Sequence, residues 1–271
     1  MSAETTVFAG GPIFDGQRLL DEHCVEFSGG ICSAIVPENT CAYSDSVVQL
    51  NGNIFSPGYT DLQVNGGGGV MFNDNPTVKT LKIIASAHHS LGTRYFLPTL
   101  ITSTKDNTRA AIRATVDAMG AGVPGIAGLH LEGPHLSIEK KGAHLDELIR
   151  PMQDDDLDQA LVAAEELPLL KMTVAPENVS LKQVHALNEA GVLLALGHTN
   201  ANYATCLDYA KAGVQGVTHL FNAMSQFGSR EPGLVGACLN NDHFSVGLIA
   251  DGVHVHPYSI STAIKLSLIH I

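Results

Sequence analysis

Residues 125–133 read GIAGLHLEG, residues 169–177 LLKMTVAPE and residues 192–200 VLLALGHTN. Each is a strand-sized apolar run that closes on polar or ionisable residues, Glu132, Glu177 and His198 in turn. The amphipathic stretch DLDQALVAAEELP separates the first two runs, and this alternation predicts parallel βα units. Working outward, the same rhythm holds for YTDLQVNG at 59–66, RYFLPTLIT at 94–102, VQGVTHLFNA at 214–223 and FSVGLIADGVH at 244–254. Seven such strands predict an α/β fold of the TIM-like (β/α)8 barrel type, incomplete because strand 8 is missing. The competing doubly wound open sheet is disfavoured, since no G-x-G-x-x-G follows the first strand. Residues 1–56 have a different grain, with short alternating runs punctuated by Gly-Gly and Asn-Gly pairs, as in a small antiparallel sheet. The expected division is therefore 1–56 and 57–271.

The 271 residues carry 27 acidic and 15 basic side chains, a formal charge of −12. That excess excludes nucleic acid and anionic membranes as principal partners, because nothing would neutralise phosphates at scale. A small anionic ligand needs only two or three local donors and is still permitted. The opening MSAETTVFAGG has no basic region leading into an apolar one, so no secretory signal is read there. The apolar runs are far shorter than the ~20 residues of a membrane span. Cys24, Cys32, Cys41, Cys206 and Cys238 form an odd set without C-x-x-C spacing, which suggests reduced thiols and a cytoplasmic location.

The chemistry gathers where the runs end: Gln63 and Asn65, Glu132, Glu177, His198, His219, and Asp251 with His254. In a parallel barrel these ends form the face on which active sites are built. Glu132, His198 and His219 together make a donor set for a divalent transition metal, one carboxylate and two imidazoles with a coordination position left open. Their spacings of 66 and 21 residues correspond to whole βα units, so all three can reach one rim. A single histidine at a strand end is more often a hydrogen-bonded structural residue. Three ligands at matched strand ends favour the joint reading.

The stretches SPGYTDLQVNGGGGVMFND, GLHLEGPHL, KKGAH, TVAPE, LGHTNANY, THLFNAM, GSREPGLVGA and IADGVHVHP, in this order from residue 56 to about 257, resemble the N-acetylglucosamine-6-phosphate deacetylase family of amidohydrolases. The resemblance implies that residues 1–56 are part of a small β-sandwich, and that the activity is metal-dependent hydrolysis of the acetamide of N-acetyl-D-glucosamine 6-phosphate. Glu132, His198 and His219 match the family's metal ligands, and Gln63 and Asn65 in place of His-x-His imply one divalent ion. Zinc suits the donors best, with iron, manganese and cobalt also compatible. His144 matches the residue that hydrogen-bonds the substrate carbonyl. Asn222, Ala223, Arg230 and His254 match positions that grip the sugar phosphate, for which a guanidinium fork and an imidazolium are physically suited. Arg230 could alternatively pair with neighbouring Glu231. Family members are commonly homodimers.

The family's general acid/base is an aspartate in a T-D-A motif on strand eight. No such motif occurs in these residues, so the catalytic aspartate is expected to be absent and the chain to be a truncated product. A barrel lacking strand eight would have unpaired edges and would be poorly soluble and inactive. The last five or so residues are read as foreign to the family. His256 stands where the family commonly has an acidic residue. Two other readings are kept open: another amidohydrolase acting on a different amide, and a non-catalytic fragment or pseudoenzyme that binds metal or sugar phosphate. The galacto epimer is a further possible substrate.

Overall fold

The computed structural model describes residues 4–41 and 46–266 and divides the chain into two compact units, residues 1–59 and 60–271. The reading of the final residues as foreign falls on 267–271, outside the described residues.

In the first unit, β1 (Thr5–Ala9), β4 (His23–Ser28), β5 (Ile31–Pro37) and β6 (Ser46–Gln49) form one sheet in the order β5-β4-β1-β6, while β2 (Ile13–Phe14) and β3 (Leu19–Leu20) form a short hairpin. Gly29 and Gly30, both at positive φ, make the tight β4–β5 connection that the Gly-Gly pair predicted. Buried Val7, Ile13 and Val25 fill the interior, and Phe8, Phe27 and Phe55 form a ring cluster with centroids 4.9–6.0 Å apart. The expectation of reduced thiols needs correction here, because Cys24 and Cys41 form a disulfide. Strand β5 folds back and brings their Cα atoms to 6.5 Å, a proximity invisible in a separation of 17 residues. Cys32, Cys206 and Cys238 are free, and burial pushes the Cys206 thiol up to about 12, which leaves it inert.

The second unit is an incomplete TIM-like barrel. Its seven strands are β7 (Tyr59–Val64), β10 (Thr93–Ile101), β11 (Leu129–Glu132), β12 (Leu170–Val174), β13 (Leu193–Leu196), β14 (Gly216–Val217) and β15 (Ser245–Val246). They stand in sequential order, with parallel pairing from β10 through β15 and with β7 and β15 at the two ends. The hairpin β8 (Gly66–Gly67) and β9 (Val70–Met71) follows the first strand. Helices follow in turn: α1 (Val78–His89), α2 (Lys105–Gly120), α3 (Asp154–Glu166), α4 (Leu181–Glu189), α5 (Tyr203–Lys211), α6 (Gly233–Leu239) and α7 (Pro257–Lys265). Most start on a cap written in the sequence. Thr77, Thr104, Ser180 and Asn202 accept backbone N–H bonds from the first turns of α1, α2, α4 and α5. Asp154, Asp155 and Asp156 place negative charge at the positive end of α3.

Alternation along the strands sorts the side chains. Leu129 and Leu131 of β11, Leu170 and Met172 of β12, and Leu194 and Leu196 of β13 join Ala111, Ala163 and Leu187 of the helices in one buried core. The opposite side of β11 and β12 carries His130 and Glu132 alongside Lys171 and Thr173, which are paired in register. Two strands are shorter than their apolar runs. β14 ends at Val217 because His219, Phe221 and Ala223 adopt positive φ, and β15 ends at Val246, so THLFNA and LIADGVH are loops at the carboxyl ends of the strands.

Candidate metal centre

Three strand ends converge. Glu132 is the last residue of β11, and His198 and His219 each lie two residues beyond their strands, β13 and β14. Both histidines sit at positive φ, +47° and +39°, a conformation that costs non-glycine residues and persists where the surroundings fix it. This twist turns the two rings onto Glu132. Its Oε1 lies 3.4 Å from His198 Nε2 and 3.2 Å from His219 Nε2, and the two Nε2 atoms are 2.9 Å apart. Glu132 is 3% exposed, and all three ligand atoms lie within 4.8 Å of one another.

Hydrogen bonds on the far side of each ring decide what these atoms are. His198 Nδ1 lies 2.8 Å from the Lys140 carbonyl oxygen, and His219 Nδ1 lies 3.1 Å from that of Asn222. A carbonyl oxygen only accepts, so both Nδ1 atoms carry the proton and both Nε2 atoms present lone pairs. Two imidazole lone pairs and a carboxylate oxygen therefore aim at one point. Such an arrangement is repulsive until a cation fills it, and it matches the outer hydrogen bonding of metal-binding histidines. Gln63 Nε2 donates to Glu132 Oε2 at 3.0 Å, which leaves Oε1 to face the histidines.

His144 completes the cluster. Its ring lies 4.3 Å from that of His198 between centroids, and its Nε2 is 3.9 Å from Glu132 Oε2. The Thr102 backbone N–H donates to His144 Nδ1 at 3.3 Å, and the Thr102 hydroxyl lies 2.7 Å from the same atom. An atom that accepts an N–H carries no proton, so the imidazole holds its proton on Nε2, the side facing Glu132. Burial, reinforced by the neighbouring His198, pushes His144 down to about 4, so it is a neutral N–H donor at physiological pH. The strap that carries it passes close by: a Cβ on Gly142, at φ +58°, would meet His198 Cε1 at 3.2 Å. His130, two residues before Glu132, is wholly buried, and burial holds its imidazole neutral.

The sequence-derived sugar-phosphate residues are arranged differently. Asn222 joins the centre through its backbone carbonyl, and Ala223, at φ +49°, shapes the same loop. Arg230 is exposed and forms no ion pair among the described residues. Glu231 instead accepts the backbone N–H groups of Tyr203 and Gly233, so the alternative pairing with Arg230 is not made. His254 is exposed and bound to Asp251, Nδ1 to Oδ2 at 2.6 Å. That hydrogen bond, helped by backbone N–H donors from His254 and Val253, holds Asp251 down at about 2. Sequence reasoning missed Thr102 and the Lys140 carbonyl. Lys140 acts wholly through its backbone, and Thr102 meets His144 through both its backbone N–H and its hydroxyl across a separation of 42 residues, which no local pattern marks.

No family model matches the chain. The chain is 39% identical over 259 residues to an N-acetylgalactosamine-6-phosphate deacetylase of Shewanella sp. (strain ANA-3), covering 93% of this chain and 65% of the relative. It is 37% identical over 245 residues to an N-acetylglucosamine-6-phosphate deacetylase of Haemophilus influenzae, covering 90% of this chain and 64% of that protein. The chain thus spans about two thirds of the length of these curated relatives, 65% and 64%. The crystal structure of N-acetylglucosamine-6-phosphate deacetylase from Pasteurella multocida superimposes with a TM-score of 0.88 at 34% identity, covering 97% of this chain and 69% of that one. Likeness in fold and sequence along nearly the whole chain places this protein in the N-acetylglucosamine-6-phosphate deacetylase family.

Proposed function

We propose that this protein hydrolyses the acetamide of an N-acetylated hexosamine 6-phosphate, with one divalent cation held by Glu132, His198 and His219. The observation that carries the reading is the convergence of two fixed lone pairs and one carboxylate oxygen on a single buried point. The donor set fits such an ion, zinc in particular, with iron, manganese and cobalt as the alternatives that two nitrogens and one oxygen also accept. When bound, the ion supplies Lewis acidity that activates water at neutral pH and polarises a carbonyl. Gln63 keeps Glu132 turned toward it. The Nε2–H of His144 donates to the acetamide oxygen as negative charge develops there, a role that requires a neutral, pre-oriented imidazole. Exposed Arg230 and His254, with the Asn222–Ala223 loop, bind the phosphate and give the anionic substrate its counter-charge. Glu132 is the one carboxylate in the three-residue cluster. The substrate class is supported by the names of the relatives, which cover both the gluco and galacto epimers.

The test is acetate release by the zinc-loaded protein from N-acetylglucosamine 6-phosphate, its galacto epimer and unphosphorylated N-acetylglucosamine. Any acetate release is expected from the phosphorylated sugars alone, and the lack of a T-D-A motif in these residues predicts little of it. Equal rates with and without phosphate would point to a different amidohydrolase, and binding without acetate release would make the chain a non-catalytic binder.

A further inference from the structure

Beneath the ligand cluster, on the same side of the sheet, lies a set of buried polar side chains that the proposed chemistry does not use. Thr99 and His130 are 0% exposed, and Thr173 and Thr218 are 1% exposed. His130 Nδ1 lies 3.3 Å from Thr99 Oγ1, His130 Nε2 lies 2.7 Å from Thr173 Oγ1, and Thr173 Oγ1 lies 2.7 Å from Thr218 Oγ1. The Thr99 hydroxyl donates to the Leu97 carbonyl at 3.2 Å, which fixes the direction of the whole chain. Thr99 accepts from His130 Nδ1–H, His130 Nε2 accepts from the Thr173 hydroxyl, and Thr173 accepts from the Thr218 hydroxyl.

Three of the four members sit close to a ligand. His130 precedes Glu132 by two residues on β11, Thr173 pairs with Glu132 in register, and Thr218 immediately precedes His219. Thr173 and Thr218 can meet because Gly197 stands between them. A Cβ there would lie 2.7 Å from Thr173 Cγ2 and 3.0 Å from Thr218 Cβ, and the next residue is His198. The chain thus ties β10, β11, β12 and the segment after β14 at one level, directly under two histidines held at positive φ. An apolar layer would fill the same space, but it has no directional bonds with which to set how far each strand end advances toward its neighbours.

We propose that the Thr99–His130–Thr173–Thr218 hydrogen-bond chain is a positioning device that holds Glu132, His198 and His219 at metal-binding separation. The inference rests on the reading of that cluster as a metal site. Its members are positioning residues, since they touch no ligand atom.

The test compares Thr173→Val and Thr218→Val, which delete a hydroxyl and keep the shape, with Thr218→Ser, which restores the hydroxyl. The readouts are zinc affinity by chelator competition, the visible absorption of the cobalt-loaded protein, and the melting temperature of the metal-free protein. The valine variants are expected to bind zinc about 10- to 100-fold more weakly and to alter the cobalt bands, with Thr218→Ser near the unsubstituted protein. Should the valine variants fail to fold, Gly197→Ala, which pushes the two threonines apart with their hydroxyls intact, is expected to show the same loss of affinity. Unchanged zinc affinity and cobalt spectra in the folded variants would overturn the inference alone. Absence of tight zinc binding by the unsubstituted protein would overturn the metal reading and this inference with it.

Discussion

Replacing Glu132 by Gln should change stability in opposite directions with and without metal. The carboxylate is 3% exposed and faces two imidazole nitrogens whose lone pairs are fixed by backbone carbonyls. Without metal, Oε1 faces two acceptor lone pairs, and an amide that removes the charge and can donate N–H toward those nitrogens should raise the melting temperature. With metal, the order reverses. Zinc at about one hundred times its Kd stabilises the unsubstituted protein by ~2.7 kcal/mol. At ~2–4 °C per kcal/mol for a unit of this size, the shift is roughly 5–11 °C. If loss of the anionic donor weakens binding about a hundredfold, the variant at the same zinc concentration gains only ~0.4 kcal/mol, a shift of about 2 °C or less. Differential scanning calorimetry of both proteins, after chelation and after zinc titration, reads all four states. A Glu132→Gln protein that melts lower without metal and keeps the full zinc shift would refute the argument that these three groups form a cation site.

Three further outcomes follow from the geometry. His144→Phe is expected to leave zinc stoichiometry unchanged while lowering kcat about 10²–10³-fold, the usual cost of losing one preorganised donor, as read by metal analysis beside steady-state kinetics. For Asp156, burial would raise the carboxyl, but the fork of Arg150 outweighs it and holds the group at about 2. A depressed carboxylate stabilises the fold above its unfolded pKa and loses that contribution as pH falls through the folded value. Asp156→Asn should therefore cost about 1 kcal/mol at pH 7, after allowance for solvent screening, and progressively less between about pH 4 and 2 in urea titrations. Reduction of the Cys24–Cys41 disulfide, or Cys24→Ser, should destabilise the first unit by about 3 kcal/mol on the chain-entropy estimate for a loop of this length, detectable as an earlier urea transition under dithiothreitol. An unchanged transition would show that the bond restricts little of the unfolded chain.

The parts of the fold legible in the sequence were those carried by local periodicity. Strand-sized runs and the Gly29–Gly30 pair that marks a tight turn depend on neighbours a few positions away. The strand boundaries were less legible. THLFNAM continues the apolar run of β14, and only the positive φ values at His219, Phe221 and Ala223 show that it leaves the sheet. The disulfide was illegible for the same reason, since its partners meet through a strand reversal and not through spacing.

For the candidate site, the sequence by itself determined the ligand types and the strand ends they occupy, because residue chemistry and βα periodicity are both written locally. Tertiary structure alone decided the protonation pattern. Whether His198, His219 and His144 present a lone pair or an N–H toward Glu132 depends on the Lys140 and Asn222 carbonyls and on the Thr102 backbone N–H. Of these, Lys140 and Thr102 lie far along the chain from the rings they orient. Backbone groups are the same at every position, so nothing in the sequence singles them out. Folding chooses them by bringing one particular carbonyl or N–H to the back of each imidazole.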